Sequence, residues 1–146
     1  MWGSEMHEIH QAGHGTLLGF DYGTHKIGIA VGQTLTHSAN PLTTLSNPKG
    51  KPDWAQIAKL IQEWQPDALV VGHPFEMTDR EANNAAAAKK FSRQLHGRFH
   101  LPVHLMDERL TTREAWAELG VEAAKDATKV DSYAAKLILE TWLRSH

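Results

Sequence analysis

TLLGFDYGTHKIGIAVG, residues 16–32, sets two apolar runs on either side of a glycine-punctuated turn. The first run, Leu17-Leu18-Gly19-Phe20, ends in a single carboxylate, Asp21; the second spans Ile27 to Val31. Near-continuous apolar character over so few residues predicts strands covered on both faces. The intervening Tyr22-Gly23-Thr24-His25-Lys26 closes them into a hairpin, with strands near 16–21 and 27–32. An acid at the tip of a buried strand is costly unless something pairs with it, and a cation is a good partner. Asp21 could also be an ordinary turn residue, because Asp and Gly are common in hairpin turns.

Working outward, a third strand is expected near 37–45, with Pro41 favouring a sheet edge because proline cannot donate to a ladder. The turn-rich stretch 46–52 leads to a helix that Asp53 caps, with Gln56 placed as in a capping box. Trp54, Ile57, Ala58, Ile61 and Trp64 fall on one stripe of that helix, and Pro66 ends it. Ala68–Gly72 reads as a short buried strand. A second helix is expected from Asp79 to His96, with Lys89, Lys90, Arg93 and Arg98 towards its C-terminal end. Pro102–Met106 reads as a strand ending in Asp107-Glu108-Arg109, and Thr111 with Glu114 opens a further helix. A last helix begins near Thr128 and carries Val130, Ala134, Leu137, Ile138 and Trp142 inward. Three strands in a meander followed by two crossover units predict an α/β fold: a mixed five-stranded sheet flanked by helices. The simplest arrangement is ribonuclease H-like, with the first strand central, beside the fourth, and the fifth on the fourth's other side.

Residues 1–15, with His7, His10 and His14, show no sustained apolar period and read as a flexible tail; residues 16–146 read as one domain. With no cysteine, neither a disulfide framework nor a thiolate metal site is available. No apolar run approaches the roughly 20 residues that span a bilayer, and the N-terminus lacks the pattern of a secretory signal. The expectation is therefore a cytoplasmic protein with no membrane partner. A formal net charge of −2 and a sequence pI near 6.5 argue against a large basic face that coats nucleic acid non-specifically. They do not exclude a nuclease, because divalent cations would bring positive charge to the site itself.

Three acids fall at element ends: Asp21 after the first strand, Glu108 after the fifth, and Asp131 early in the last helix. Strand ends and helix starts can converge on one cleft. In the expected strand order the backbones at Asp21 and Glu108 stand two strand spacings apart, about 9–10 Å, which an aspartate and a glutamate largely close. Each acid has a structural alternative. Glu108 could pair with Arg109 or Arg113 on the surface, and Asp131 could serve only the helix dipole. Asp107 would point to the opposite face if the pleat persists. The spacing of His96, His100 and His104 crosses a helix end and a strand and reads as coincidence.

TLLGFDYGTHKIGIAVG, ALVVGHP, MDERLTTREA and KVDSYAAKLILETWL, in this order, resemble the YqgF/RuvX family of bacterial proteins over residues 16–143. The blocks D-x-G-x-x-x-I-G-x-A-V-G and D-E-R-L-T-T are specific when they occur together. The resemblance implies a ribonuclease H-like fold related to the Holliday-junction resolvase RuvC. It also implies an acidic metal site matched here by Asp21, Glu108 and Asp131. Family members are described as junction resolvases and as nucleases that mature the 5′ end of 16S ribosomal RNA. Two departures stand out: His73 replaces the usual apolar residue of V-G-L-P, and Glu76 stands where Asn is usual. A hydrogen-bonded imidazole is the expected role of His73, with contact to metal or phosphate as the alternative.

The expected chemistry has two Mg²⁺ or Mn²⁺ ions held by Asp21, Glu108 and Asp131 against a scissile phosphate, since magnesium prefers hard oxygen ligands. The resemblance implies cleavage that leaves a 5′ phosphate. Lys26 and Arg109 are candidate nucleic-acid-binding residues, and the basic end of the second helix is a candidate backbone contact. The partner is a ribosomal RNA precursor or branched DNA; junction cleavage would call for a two-fold dimer, whereas RNA trimming would serve a monomer. Two other classes fit parts of the pattern. Asp-x-Gly-Thr also opens the phosphate loop of actin-like ATP-binding domains, but those need a second lobe. A catalytically silent nucleic-acid-binding module would tolerate loss of the acids.

Overall fold

The structure is a computed structural model that describes residues 15–23, 25–72, 81–106 and 127–145, with residues 81–85 and 127–130 described as helical backbone. Residues 1–14, the stretch with His73 and Glu76, the segment with Asp107, Glu108 and Arg109, and the helix expected at Thr111 lie outside the described residues.

The strands are β1 (Thr16–Tyr22), β2 (Lys26–Gln33), β3 (Ser38–Ser46), β4 (Ala68–Gly72) and β5 (Val103–Leu105). They form one sheet in the order β3-β2-β1-β4-β5, as the meander-plus-crossover reading requires. β1 pairs antiparallel with β2 and parallel with β4, so it lies at the centre. β3 is an edge, and its register with β2 shifts between Ile29 and Ala30: Ile29 faces Thr43 and Ala30 faces Pro41. The proline therefore sits beside an irregularity on an edge strand, where its missing N–H is tolerated.

Helix α1 (Trp54–Trp64) starts as its sequence indicates, with the Asp53 side chain accepting a hydrogen bond from Gln56 N at 3.3 Å. It stops at Gln65, whose φ of 48° puts it in the left-handed region. Along α1, Ala58 is exposed and Leu60 packs inward in its place. Helix α2 (Glu81–Phe99) runs three residues beyond the expected end at His96, and α3 (Ala127–Ser145) begins one residue before Thr128.

Strand alternation divides the core in two. Leu18, Phe20, Tyr22, Ile27, Ile29, Val31, Leu69 and Val71 point to the face covered by α1 and α2. Phe91 of α2 anchors that layer, edge-on to Phe20 and stacked with Trp54. Leu17, Ala30 and Val70 point to the other face, where Ala135, Ile138, Leu139 and Leu143 of α3 meet them. Glycines let α3 lie close on this face. A Cβ at Gly19 would stand 2.9 Å from Leu139 Cβ, and one at Gly32 would stand 2.8 Å from Leu139 Cδ2. Asp21, two residues after Gly19, falls on the α3 face at the C-terminal end of β1.

Candidate active site

Asp21 is held from both sides by ladders. Its register partners are Gly28 on β2 and Gly72, the last residue of β4. Neither neighbour has a side chain. On the α3 side the fit is tight: a Cβ built on Gly28 would collide with the main-chain carbonyl of Asp131. Directly opposed antiparallel residues have Cα atoms roughly 5 Å apart, so this contact brings the α3 backbone at Asp131 close over Asp21. Glycine in a strand interior commonly marks such an approach. That was the signal in the sequence, and only the third dimension says what approaches.

Asp21 is 4% exposed, and its Oδ1 has no hydrogen-bond partner among the described residues. Burial pushes its carboxyl well above the ordinary carboxylate range, and the nearby charge of Asp131 pushes it further. Asp131 is half-buried; loss of water raises its carboxyl too, while the Lys26 ammonium opposes that rise. Lys26 is the exposed first residue of β2. The structure thus brings together Asp21, Asp131 and Lys26, from β1, α3 and β2. Asp131 is the fifth residue of α3, and no acid lies in that helix's first turn. Because the dipole effect falls off within a turn, helix stabilisation does not account for it.

Glu108 and Arg109 lie outside the described residues. Before them the chain is described to Met106, whose N–H donates to Val71 O at 2.8 Å, beside Gly72 and so at the Asp21 end of the sheet. The three histidines separate. His96 Nδ1 lies 2.9 Å from Leu101 O, whereas His104 stacks on Trp142 of α3, across the sheet from α2. Lys89, Lys90, Arg93 and Arg98 are exposed on α2. That helix returns from the Asp21 end of β4 towards the start of β5, so its basic C-terminal end points away from the acids.

The RuvX family profile, described as Holliday junction resolvase, matches residues 15–145. The chain belongs to the RuvX family. Its RuvX relatives include a Pseudomonas putida protein named "Putative pre-16S rRNA nuclease", 51% identical over 134 residues, covering 89% of this chain and 95% of that one. A Legionella pneumophila protein of the same name is 52% identical over 134 residues, covering 89% and 96%. Among solved structures, T. thermophilus RuvC in complex with a Holliday junction substrate aligns with a TM-score of 0.58 at 16% identity. The alignment covers 90% of this chain and 96% of that one. The fowlpox virus resolvase bound to junction DNA aligns at 0.50 with 9% identity, over 89% and 97% of the two chains. At such identities these two likenesses speak for the fold, which is ribonuclease H-like. Asp21 and Asp131 both lie inside the RuvX match, on the central strand β1 and on the helix α3 that packs over it.

Proposed function

We propose that this RuvX protein is a metal-dependent nuclease that hydrolyses phosphodiester bonds at the 5′ end of 16S ribosomal RNA precursors, in the cytoplasm. The observation that carries the reading is the buried Oδ1 of Asp21, without a partner among the described residues and beneath the Asp131 backbone. An anionic oxygen removed from water without a donor is costly, and a second carboxylate nearby adds to that cost. A divalent cation offsets both. The donors are hard oxygens with no thiolate available, a set suited to Mg²⁺ or Mn²⁺. Asp21 and Asp131 would hold the ion, with Glu108 as the third carboxylate. Bound there, such a cation supplies charge stabilisation to the phosphate and makes an attacking water more acidic.

The chain's own residues do the rest. β1, clamped between β2 and β4, fixes the backbone at Asp21. Gly28 admits α3 and so fixes Asp131. Lys26, exposed at the mouth of the same site, is placed to take a phosphate oxygen as a point charge; Arg109 is the second candidate for that role. The RNA substrate is favoured by the names of relatives about half identical to this chain. The family description favours a second reading, resolution of four-way DNA junctions.

The test is cleavage of end-labelled 16S precursor RNA and of a four-way junction, each with Mn²⁺, with Mg²⁺ and with EDTA, by wild type and Asp21→Asn. Precursor RNA should be cut only with metal and only by wild type. Cutting that survives Asp21→Asn would overturn the mechanism. Cutting of the junction alone would transfer the assignment to DNA, and binding without cutting would mean a silent module.

A further inference from the structure

Among the described residues, Asn47 fastens the hairpin turn that follows Asp21 from outside. The Asn47 side chain is fully buried. Its Nδ2 donates to Gly23 O at 2.7 Å, and its main-chain N–H donates to His25 O, also at 2.7 Å. Within the turn, Gly23 N–H donates to Lys26 O at 3.0 Å, and Lys26 stands opposite Ser46, the residue just before Asn47. Beyond Asn47 the chain makes a 3-10 turn, Pro48–Gly50, with Lys49 and Gly50 at φ of 54° and 70°. That turn comes back on the hairpin, since a Cβ at Gly50 would lie 3.9 Å from the Tyr22 hydroxyl. Two carbonyls of the turn, those of Gly23 and His25, therefore depend on Asn47.

Asp21 does not. It lies inside the ladders to β2 and β4, which hold it whatever the turn does. Lys26, the first residue of β2, lies just past the ladder to β1 and is laddered only to Ser46 of β3, so the turn that Asn47 fastens adds to the hold on its backbone. Lysine carries a flexible four-carbon stem, so its ammonium reaches one place consistently only if its Cα is fixed. We propose that Asn47 is a positioning residue that sets Lys26 for contact with a substrate phosphate. This inference rests on the phosphate-binding role given to Lys26 above. A buried residue whose amide Nδ2 and main-chain N–H are both committed to a catalytic-side turn, while its Oδ1 has no partner among the described residues, differs in kind from a surface turn former, whose loss frays only itself.

The experiment compares wild type, Lys26→Ala, Asn47→Ala and the double variant, with folding checked by circular dichroism. RNA affinity is read by fluorescence anisotropy of labelled 16S precursor in Ca²⁺, and kcat and KM are read in Mn²⁺. Each single variant should weaken binding and raise KM about five- to tenfold with kcat within about twofold, the pattern of lost ground-state binding. The double variant should be no worse than Lys26→Ala, because a residue that acts only through another adds nothing once that other is gone. Asn47→Asp, which keeps the shape but loses the donor to Gly23 O, should match Asn47→Ala and serves if the alanine variant does not fold. Multiplying effects in the double variant, an unchanged KM in Asn47→Ala, or a fall in kcat like that of Asp21→Asn would each overturn the proposal. If wild type binds RNA but never cuts it, the nuclease reading fails while the binding cycle still decides the role of Asn47. No RNA binding by wild type would overturn this inference as well.

Discussion

Replacing Asp21 by Asn should make the metal-free protein more stable. In the folded chain this carboxylate is 4% exposed, has an oxygen with no partner among the described residues, and lies close to the Asp131 charge. Its folded pKa is raised, so the folded state holds the proton more tightly than the unfolded chain does. By linkage, stability then falls as pH climbs above the unfolded value, about 3.9, and goes on falling until the raised folded value is passed. The penalty therefore grows as pH rises from acid towards the raised folded value; well below pH 4 both states are protonated and it is absent. An unpaired buried polar group costs about 1–3 kcal/mol, more when charged. Asparagine keeps an amide to satisfy but removes the charge and the repulsion, so a gain of about 1–3 kcal/mol is expected. For a chain of this size that corresponds to roughly 3–9 °C in melting temperature. The assay is thermal unfolding in EDTA at pH 7.5 and again near pH 3.5, then at pH 7.5 with Mn²⁺. Asp21→Asn should melt higher than wild type in EDTA at pH 7.5, with the gap closing in acid. Mn²⁺ should raise only wild type, by about 2.7 kcal/mol when the ion is at 100 times its dissociation constant. A lower melting temperature for Asp21→Asn in EDTA at pH 7.5 would refute the view of Asp21 as a charge awaiting a cation.

Gly28→Ala should cost about 3 kcal/mol or more and abolish metal-induced stabilisation, because its Cβ collides with the Asp131 carbonyl and α3 must move; denaturant unfolding with and without Mn²⁺ reads both effects. Gly97→Ala is the contrasting case. With nothing within 4 Å of its Cβ, on an exposed helix position, it should stabilise by about 0.5–1 kcal/mol and leave cleavage untouched. Asp53→Ala should lower stability by about 1 kcal/mol through loss of the α1 cap, without altering the metal response. Glu140 accepts from Ala39 N on edge strand β3 at 3.1 Å. Glu140→Gln should be near neutral because it keeps an acceptor, whereas Glu140→Leu should cost about 1–3 kcal/mol by stranding that N–H.

The amino-acid sequence by itself determined the strands, their order and the start of α1. Near-continuous apolar runs, a proline on an edge and an Asp–Gln capping pair act over a few residues, and that range is all a sequence displays directly. It also singled out Asp21, since a lone acid closing an apolar run is visible without a fold. The company of Asp21 was decided by the tertiary structure. Asp131 lies more than a hundred residues further along the chain, and its approach depends on Gly28 lacking a Cβ and on α3 packing over Gly19 and Gly32. Asn47 gave no signal at all in a stretch that reads as an ordinary turn. Its role comes from two carbonyls that the folded hairpin presents to it, and hydrogen bonds between distant segments exist only once the chain has closed. The basic C-terminal end of α2 illustrates the converse: conspicuous as a charge cluster, it is carried by the β4–α2–β5 crossover towards the end of the sheet remote from Asp21. Residue type announces what chemistry is on offer, while the handedness and register of a closed sheet decide which of those groups meet.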